Sequence, residues 1–324
     1  MTSAPELRIG ILGVARISGD AVVLPARALG HRLVAVASRD PARAQFFADL
    51  CAVERVAPSY EALLADPEVD VVYLPLPNAL HARWTLAAIA AGKHVLCEKP
   101  LAATAEEARA VRAAAAAAGV HVHEAAHQLC HPLYTALARE LDGLGKVRHA
   151  AAQITMRPPP PEDPRWSAGL GGGALMDLGC YGLQVLGWLG RWAGGGPEVV
   201  AAAAELRDGV DSRSTVRLVF PSGATGTVHA SMVAADPAPH SLRIECEGGV
   251  LDVAGFVLPH LGGALTVLRA DGRRSVTEFD AVSTYQHQLR RFAELVRAGR
   301  PMPTSLADSV ATMALLDDAR HRFH

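Results

Sequence analysis

Apolar and polar residues follow two different patterns along this chain, and the pattern changes near residue 145. Before that point, short apolar runs alternate with segments of helical periodicity, and short loops join them. Repeated strand–helix units of this kind are typical of a parallel, doubly wound sheet. The strands predicted here are Leu7–Leu12, Leu33–Ala37, Val69–Leu74, His94–Cys97 and Val120–His123.

The helices between these strands begin and end at residues that favour helix termini. Asp40 precedes a helix that runs through Phe47, and two further helices are predicted at 60–64 and 79–91. Thr104 and Glu107 form a capping box ahead of an alanine-rich helix that stops at Gly119.

From about residue 145, strand-like runs follow one another directly, with turn residues between them. This arrangement predicts an α/β domain with a largely antiparallel, open sheet, and two helices close the chain at 284–298 and 305–321. We therefore expect two domains, 1–124 and 125–324, and the last helix is a candidate for packing back on the first domain. The predicted strands are 147–156, 199–206, 214–220, 224–233, 241–247, 250–253, 265–269 and 275–279.

Composition excludes several classes of protein. The 324 residues are 50% hydrophobic and 20% charged with a net charge of −2, which is typical of a folded globular protein. No run of five like charges predicts nucleic-acid or anionic-membrane binding, and no uninterrupted apolar stretch is long enough to span a membrane. The first residues lack an export signal, and the five cysteines share no CxxC spacing. We expect reduced thiols and a cytoplasmic protein.

The first strand runs into a glycine turn at Gly13, which is typical of a phosphate-binding site. A tight turn into a helix leaves backbone N–H groups that hold a pyrophosphate. The frame departs from the G-x-G-x-x-G fingerprint, because Ala15 and Ser18 stand at its second and third positions. An ordinary strand–turn–helix without a ligand is the alternative.

The end of the second strand indicates which cofactor such a site would take. Ser38 and Arg39 stand where an acidic residue would bind a free ribose 2′-hydroxyl. A hydroxyl donor and a guanidinium suit a 2′-phosphate, so NADP is favoured over NAD. Arg43, one helical turn further on, is a second candidate for the phosphate; a solvated helix charge is its alternative.

Three motifs lie where the carboxyl ends of strands place ligands in an open α/β sheet. They are Leu74–His81, Cys97–Pro100 and Gly171–Tyr181, and the third is expected to open the first helix of the second domain. With the glycine turn they occur in the same order in the glucose–fructose oxidoreductase/inositol dehydrogenase/rhizopine-catabolism (Gfo/Idh/MocA) family. The chain resembles that family over its whole length. It is most similar to the branch with D-x-G-x-Y, which includes dimeric dihydrodiol dehydrogenases, NADP-dependent xylose dehydrogenases and NDP-ketosugar reductases.

The resemblance implies an NADP(H)-dependent oxidoreductase that interconverts an alcohol and a carbonyl on a polyhydroxylated small molecule. It also implies a Rossmann domain followed by an α/β domain whose sheet makes a homodimer or homotetramer. The cofactor-binding residues expected on this basis are Gly13, Ala15, Arg16, Ile17, Ser38, Arg39, Arg43, Leu76, Asn78, His81, Glu98 and Lys99. The substrate-binding residues expected are Lys99, His127, Arg165, Asp177 and Tyr181.

The resemblance assigns the catalytic roles to Lys99, Tyr181 and Asp177, and acid–base chemistry supports them. Hydride transfer at an alcohol carbon requires a proton to move on its oxygen. A free tyrosine has a pKa of about 10, and a nearby ammonium lowers it. Tyr181 is then the general acid/base, Lys99 lowers its pKa, and Asp177, four residues earlier, orients Lys99 or a substrate hydroxyl. A loop lysine and an interface tyrosine are the alternatives. For Arg165 the alternative is a surface arginine stacked on Trp166.

His123-Glu124-Ala125-Ala126-His127 matches the H-E-x-x-H string of zinc proteases. That motif works because both histidines project from one helix face onto the metal. Here His123 ends a predicted strand and the next helix is predicted to begin near His131 and Pro132, so no metal site is expected. The residues thus leave three functions open: an NADP(H) oxidoreductase, a non-catalytic NADP-binding regulator and, remotely, a zinc hydrolase.

Overall fold

The computed structural model describes residues 6–238 and 240–323. The chain divides into two compact units, Met1–Cys130 with Tyr285–Ser309 and His131–Thr284 with Val310–His324. The sequence predicts a boundary after residue 124, whereas the division follows Cys130. The segment that returns to the first unit begins at Tyr285, and from Val310 onward the last helix lies in the second unit.

The first unit contains a parallel sheet. Its strands are β1 (Arg8–Leu12), β2 (Arg32–Ala37), β3 (Arg55–Val56), β4 (Val71–Leu74), β5 (His94–Cys97) and β6 (Val122–Glu124). They pair in the order β3-β2-β1-β4-β5-β6, and every neighbouring pair is parallel. The strand order reverses between β1 and β4, and ligands bind beyond the carboxyl ends of the strands at such a point.

The helices that follow Asp40 and Thr104 begin where the sequence predicts, and Ser59 caps a third helix in the same way. Asp40, Ser59 and Thr104 each accept a hydrogen bond from a backbone amide of the helix that they precede. The helices are α1 (Leu24–Leu29), α2 (Pro41–Leu50), α3 (Tyr60–Ala65), α4 (His81–Ala90), α5 (Ala105–Ala118), α6 (Pro132–Gly143), α7 (Cys180–Leu189), α8 (Thr284–Ala298) and α9 (Leu306–His321).

The second unit contains a sheet of eight strands. They are β7 (Val147–Thr155), β8 (Glu198–Arg207), β9 (Val210–Val219), β10 (Thr225–Ser231), β11 (Ser241–Cys246), β12 (Gly249–Ala254), β13 (Ala264–Arg269) and β14 (Arg274–Glu278). The order is β14-β13-β12-β11-β7-β10-β9-β8; β7 and β10 are parallel and the other neighbours are antiparallel. The predicted fold class, a doubly wound parallel sheet followed by a largely antiparallel α/β domain, is confirmed.

The helix that carries Tyr181 packs closely on this second sheet. A Cβ added to Gly182 would lie 2.5 Å from Val228 Cγ1 and 3.3 Å from Ala152 Cβ, so glycine allows α7 to approach β7 and β10. The sequence predicts that this is the first helix of the second domain. The structure differs, because α6 precedes it in the second unit and begins after His131.

Two further sequence expectations concern bonds and membrane spans. All five cysteines are free and buried, which agrees with the absence of a disulfide framework. Within residues 6–238 and 240–323, we find no helix that combines the length and the apolar character that a membrane crossing requires.

Two glycines of α7 provide a matched test of this packing. Gly182→Ala should lower the free energy of unfolding by about 1–3 kcal/mol, because its methyl group overlaps Val228. Gly187→Ala is the control, because a Cβ there meets no atom within 4 Å among the described residues. It should raise the free energy of unfolding by up to about 1 kcal/mol through helix propensity. Urea unfolding measures both, and equal effects of the two variants would contradict the close approach.

Candidate active site

The glycine turn after β1 has the geometry of a tight strand exit. The amide of Gly13 donates to the carbonyl oxygen of Ala37 at the end of β2 (2.9 Å). Gly13 has a φ of +114°, and a Cβ there would lie 2.6 Å from the side chain of Leu76. Glycine is therefore required here both by the backbone conformation and by the space. Leu76, predicted to bind cofactor, borders the turn.

The segment after Gly13 differs from the prediction of an immediate helix. Ser18 first closes a turn by donating from its amide to the carbonyl oxygen of Ala15 (3.1 Å), and a π-helical turn begins only at Gly19. In the part of the chain that the structure describes, no group accepts a hydrogen bond from the amides of residues 14–17. These successive N–H groups, which include those of Ala15, Arg16 and Ile17, are available to an anion.

The start of α2, just after β2, brings the side chain of Arg43 to the glycine turn at Gly13. The carboxylate of Asp40 caps α2 by accepting from the amides of Ala42 (3.0 Å) and Arg43 (3.2 Å). The guanidinium of Arg43 donates to the carbonyl oxygen of Val14 (3.2 Å), so its charge lies beside the turn. Ser38 Oγ accepts from the amide of Asp40 (3.2 Å), and the Arg39 side chain is exposed.

Tyr60 at the start of α3 belongs to the same place, although the sequence shows it only as the first residue of a short helix. Its hydroxyl oxygen lies 3.9 Å from where a Cβ of Gly13 would be. Burial raises the pKa of Tyr60, and the backbone of Arg39 and the charges of Arg39 and Arg43 oppose that shift. Tyr60 therefore lies between the glycine turn and the end of β2.

His81 joins the loops that follow β4 and β5. Its Nε2 lies 2.6 Å from the carbonyl oxygen of Leu76 and its Nδ1 lies 2.7 Å from the carbonyl oxygen of Pro100. Burial lowers the pKa of His81, and the charge of Lys99 lowers it further. Both ring nitrogens face backbone carbonyls, so the ring holds two loops together, and the cofactor contact expected for His81 stays a prediction. Asn78 lies just before it, in the short helix Asn78–Leu80.

Glu98 fixes the backbone beside Lys99. Its buried carboxylate accepts from the hydroxyl of Tyr73 (2.8 Å) and from the amide of Lys99 (3.2 Å). The next peptide bond, Lys99–Pro100, is cis. Burial raises the pKa of Tyr73 and the charge of Glu98 raises it further, so Tyr73 remains a donor. Glu98, predicted to contact cofactor, thus has a structural function in positioning Lys99.

Tyr285, which the sequence reasoning did not single out, packs against the predicted substrate residue His127. Their ring centroids lie 4.2 Å apart, and both side chains are buried in the first unit. Burial raises the pKa of Tyr285; the charge of Glu98 raises it further, while the ammonium of Lys99 opposes that shift. Lys99, Glu98, His127 and Tyr285 therefore form one polar cluster at the carboxyl end of β5.

The H-E-x-x-H string does not form one helix face. His123 lies in β6, and His127 begins the short 3-10 helix His127–Cys130. Burial lowers the pKa of His123 to about 4. Glu124 is also buried and accepts from the amide of Leu101 (3.1 Å). The strand expected at His123 is confirmed, and the spacing that zinc proteases require on a helix is not present here.

In the second unit, Arg165 and Asp177 bind each other. Arg165 Nε donates to Asp177 Oδ2 (2.6 Å), and its Nη1 donates to Asp163 (3.0 Å). The sequence offered a stack of Arg165 on Trp166 as the alternative. The guanidinium over the Trp166 ring is instead that of Arg207, 5.0 Å from the ring centroid. Arg165 is therefore held in place by two carboxylates.

Asp177 and Tyr181 lie on consecutive segments of one helical element. Leu175–Gly179 is a π-helical turn, and α7 continues it from Cys180, so Tyr181 is the second residue of α7. The carboxylate of Asp211 in β9 accepts from the amide of Leu175 at the start of this element (2.7 Å). The sequence reasoning did not single out Asp211, because its partner lies 36 residues away.

Comparison with known proteins agrees with this arrangement. Residues 7–126 match the profile described as an oxidoreductase family with an NAD-binding Rossmann fold, and residues 140–252 match the GFO/IDH/MocA C-terminal domain. The chain is 38% identical over 317 residues to D-xylose 1-dehydrogenase (NADP(+)) 2 of Haloferax volcanii, covering 96% of this chain and 95% of that protein. The chain belongs to the GFO/IDH/MocA family of oxidoreductases.

The chain is also similar to proteins whose names refer to a dTDP-linked sugar or to a TDP ligand. The chain is 41% identical over 212 residues to dTDP-3,4-didehydro-2,6-dideoxy-alpha-D-glucose 3-reductase of Streptomyces antibioticus, covering 63% of this chain and 61% of that enzyme. A solved structure of KijD10, a 3-ketoreductase from Actinomadura kijaniata in complex with NADP and TDP-benzene, superimposes with a TM-score of 0.88 at 29% identity. It covers 99% of this chain and 98% of that one.

Asp211 gives this GFO/IDH/MocA protein a pH-dependent stability that can be measured. Burial raises the pKa of Asp211 from its ordinary 3.8 to about 6. The unfolded chain therefore releases this proton at a lower pH than the folded chain does. As the pH rises from about 4 to about 6, the free energy of unfolding consequently falls. Asp211→Asn removes this dependence.

We expect the stability of the Asp211→Asn variant relative to the wild type to increase by about 3 kcal/mol between pH 4 and pH 7. Urea unfolding at several pH values measures it. Asp236→Asn changes an exposed carboxylate of the same unit and should follow the wild type within about 0.5 kcal/mol. A difference between Asp211→Asn and wild type that does not vary with pH would show that Asp211 does not titrate in this range.

Proposed function

We propose that this family member transfers hydride between NADP(H) and the carbinol or carbonyl carbon of a sugar or sugar derivative. The observation that carries the proposal is the 38% identity to an NADP-dependent D-xylose 1-dehydrogenase along 96% of the chain. The likeness to KijD10 with NADP and TDP-benzene supports the same cofactor, and it brings nucleotide-linked sugars into the substrate screen beside free sugars.

The first unit would bind NADP(H) at the carboxyl ends of its strands. The amides of residues 14–17 suit the pyrophosphate, since successive N–H groups bind anions. Arg39 and Arg43 suit the 2′-phosphate, because the carboxylate of Asp40, which lies between them in the sequence, is engaged as the cap of α2. The bound cofactor supplies the carbon that accepts or gives the hydride.

Tyr181 would give and take the proton on the substrate oxygen. Lys99 would stabilise the phenolate form of Tyr181, because an ammonium group nearby lowers the pKa of a phenol. Glu98 supports this role by fixing the Lys99 backbone, and Asp177 with Arg165 would hold a substrate hydroxyl. His127 would line the substrate site from the first unit.

The second unit also bears on how the protein assembles. We propose a homodimer or homotetramer formed through the sheet of the second unit. Exposed apolar side chains on its strands support this, among them Val200 and Leu206 on β8 and Leu268 on β13. The five free, buried cysteines support a cytoplasmic location.

The cofactor assignment is tested by titrating the protein with NADPH and with NADH while following nicotinamide fluorescence. NADPH should bind at least about tenfold more tightly, a difference of about 1.4 kcal/mol. Arg39→Ala should remove most of that difference by weakening NADPH binding alone. Arg27→Ala is the control, because it removes an exposed arginine of α1 outside the proposed site. Tighter binding of NADH by the wild type would overturn the 2′-phosphate assignment.

The proton-transfer role is tested with Tyr181→Phe. Turnover of D-xylose with NADP+, or of the best substrate from a screen of aldoses and dTDP-linked hexoses, should fall by about 10²–10⁴-fold. The Kd of NADPH should not change. Tyr134→Phe is the control in the same unit, since it removes a hydroxyl that donates to the carbonyl oxygen of Phe256 (3.3 Å) and should leave turnover near wild type. Unchanged turnover of Tyr181→Phe would refute the role.

The same screen separates the oxidoreductase from a non-catalytic relative. Tight NADPH binding without turnover of any compound in the screen would favour a regulatory protein that uses the cofactor as a ligand. Turnover that Tyr181→Phe abolishes would exclude it.

A further inference from the structure

Three glycines precede the helical element that carries Asp177 and Tyr181, and the second and third of them are closely surrounded. A Cβ on Gly172 would lie 2.3 Å from the carbonyl oxygen of Arg165. Gly173 has a φ of +119°, and a Cβ there would lie 2.0 Å from Oδ1 of Asp211. The chain can therefore make this turn only with glycines, and it makes it in contact with Asp211.

The turn is fastened on both sides by hydrogen bonds. On one side, the amide of Gly173 donates to the carbonyl oxygen of Arg165 (3.0 Å). On the other side, Asp211 Oδ2 accepts from the amide of Leu175 (2.7 Å). The amide of Asp177 then donates to the carbonyl oxygen of Gly173 (2.9 Å). The backbone positions of Arg165 and Asp177, which also bind each other through their side chains, thus depend on this turn.

Asp211 itself is rigidly placed. It is the second residue of β9, its side chain is buried, and its Oδ2 accepts from the amide of Leu175 (2.7 Å). The charge of Arg320 in α9 opposes the rise in the pKa of Asp211, and Asp317 pairs with that arginine (2.7 Å). The carboxylate of Asp211 accepts a hydrogen bond from an amide at the start of a helical element, where the helix dipole favours negative charge.

We propose that Asp211 is a positioning residue for the reaction: its carboxylate oxygen holds the glycine turn and the first helical turn of the element that carries Asp177 and Tyr181. This inference rests on the proposed function. Burial makes the ionised carboxylate costly in stability, since it raises the pKa of Asp211 to about 6. Costly polar groups of this kind are retained where function requires them.

The test compares Asp211→Ala, which removes the acceptor, with Asp211→Asn, which keeps an oxygen that can accept from Leu175. We expect Asp211→Ala to lower kcat by about a hundredfold, because a displacement of about 1 Å of a reacting group has that effect. The KM of D-xylose or of the best substrate in the screen should change far less, and the Kd of NADPH should not change. Asp211→Asn should restore kcat to within about fivefold of wild type.

A purely structural role would give a different pattern. Asp211→Ala would then melt at a lower temperature but keep the wild-type kcat below its melting range, and that result overturns the proposal. An Asp211→Asn variant as impaired as Asp211→Ala also overturns it, because the hydrogen bond to Leu175 would then not be the cause. Asp236→Asn controls for the loss of a carboxylate. If Asp211→Ala does not fold, Asp211→Ser replaces it, since its side chain is too short to reach Leu175.

Hydrogen exchange keeps this test separate from that of the proposed function. It is measured by mass spectrometry on the full chain without substrate. Asp211→Ala should speed exchange in a peptide covering residues 171–186 by about tenfold, while peptides from α5 stay unchanged and Asp211→Asn stays near wild type. If no compound in the screen is turned over, the proposed function fails and this measurement alone decides whether Asp211 holds the turn. Equal exchange in Asp211→Ala and wild type overturns the proposal.

Discussion

A buried polar group must find a hydrogen-bond partner, and in this protein several find theirs in the backbone of the loops that carry candidate functional residues. The carboxylate of Glu98 accepts from the amide of Lys99, and that of Asp211 accepts from the amide of Leu175. The ring nitrogens of His81 face the carbonyl oxygens of Leu76 and Pro100. Loops that end strands have no ladder of their own to satisfy their backbone groups. These side chains supply the hydrogen-bond partners that the loops lack.

Local signals in the sequence were sufficient for most of the fold. β5 and α8 have the predicted bounds, and α5 begins after Thr104 as its capping box indicates. For α5 the cap lies within three residues, since Thr104 Oγ1 accepts from the amide of Glu107, and a sequence pattern can report such a local interaction. The π-helical turns at Gly19–Val23 and Leu175–Gly179 were not predicted, because the side-chain pattern of a π turn resembles that of the α-helix that follows it.

The candidate site was predictable as a set of segments, but its partners were not. The motifs around Gly13, Lys99 and Tyr181 mark where strands and turns end, which the sequence shows directly. The side chains that hold these segments come from distant parts of the chain. Tyr73 binds Glu98 from 25 residues away, and Asp211 binds the amide of Leu175 from 36 residues away. Periodicity and spacing carry no information about such distant pairs, because the tertiary fold alone brings them together.

The contacts of His81 have a consequence for the motion of the first unit. A neutral imidazole carries one N–H, yet both of its nitrogens face carbonyl oxygens that can only accept. Burial lowers the pKa of His81 and so favours the neutral ring, and in that form the loops after β4 and β5 compete for a single hydrogen. Tautomer exchange would pass that hydrogen from one loop to the other, so tightening one of them loosens the other. The histidine therefore couples the two loops, because its one N–H can donate to only one of their carbonyl oxygens at a time.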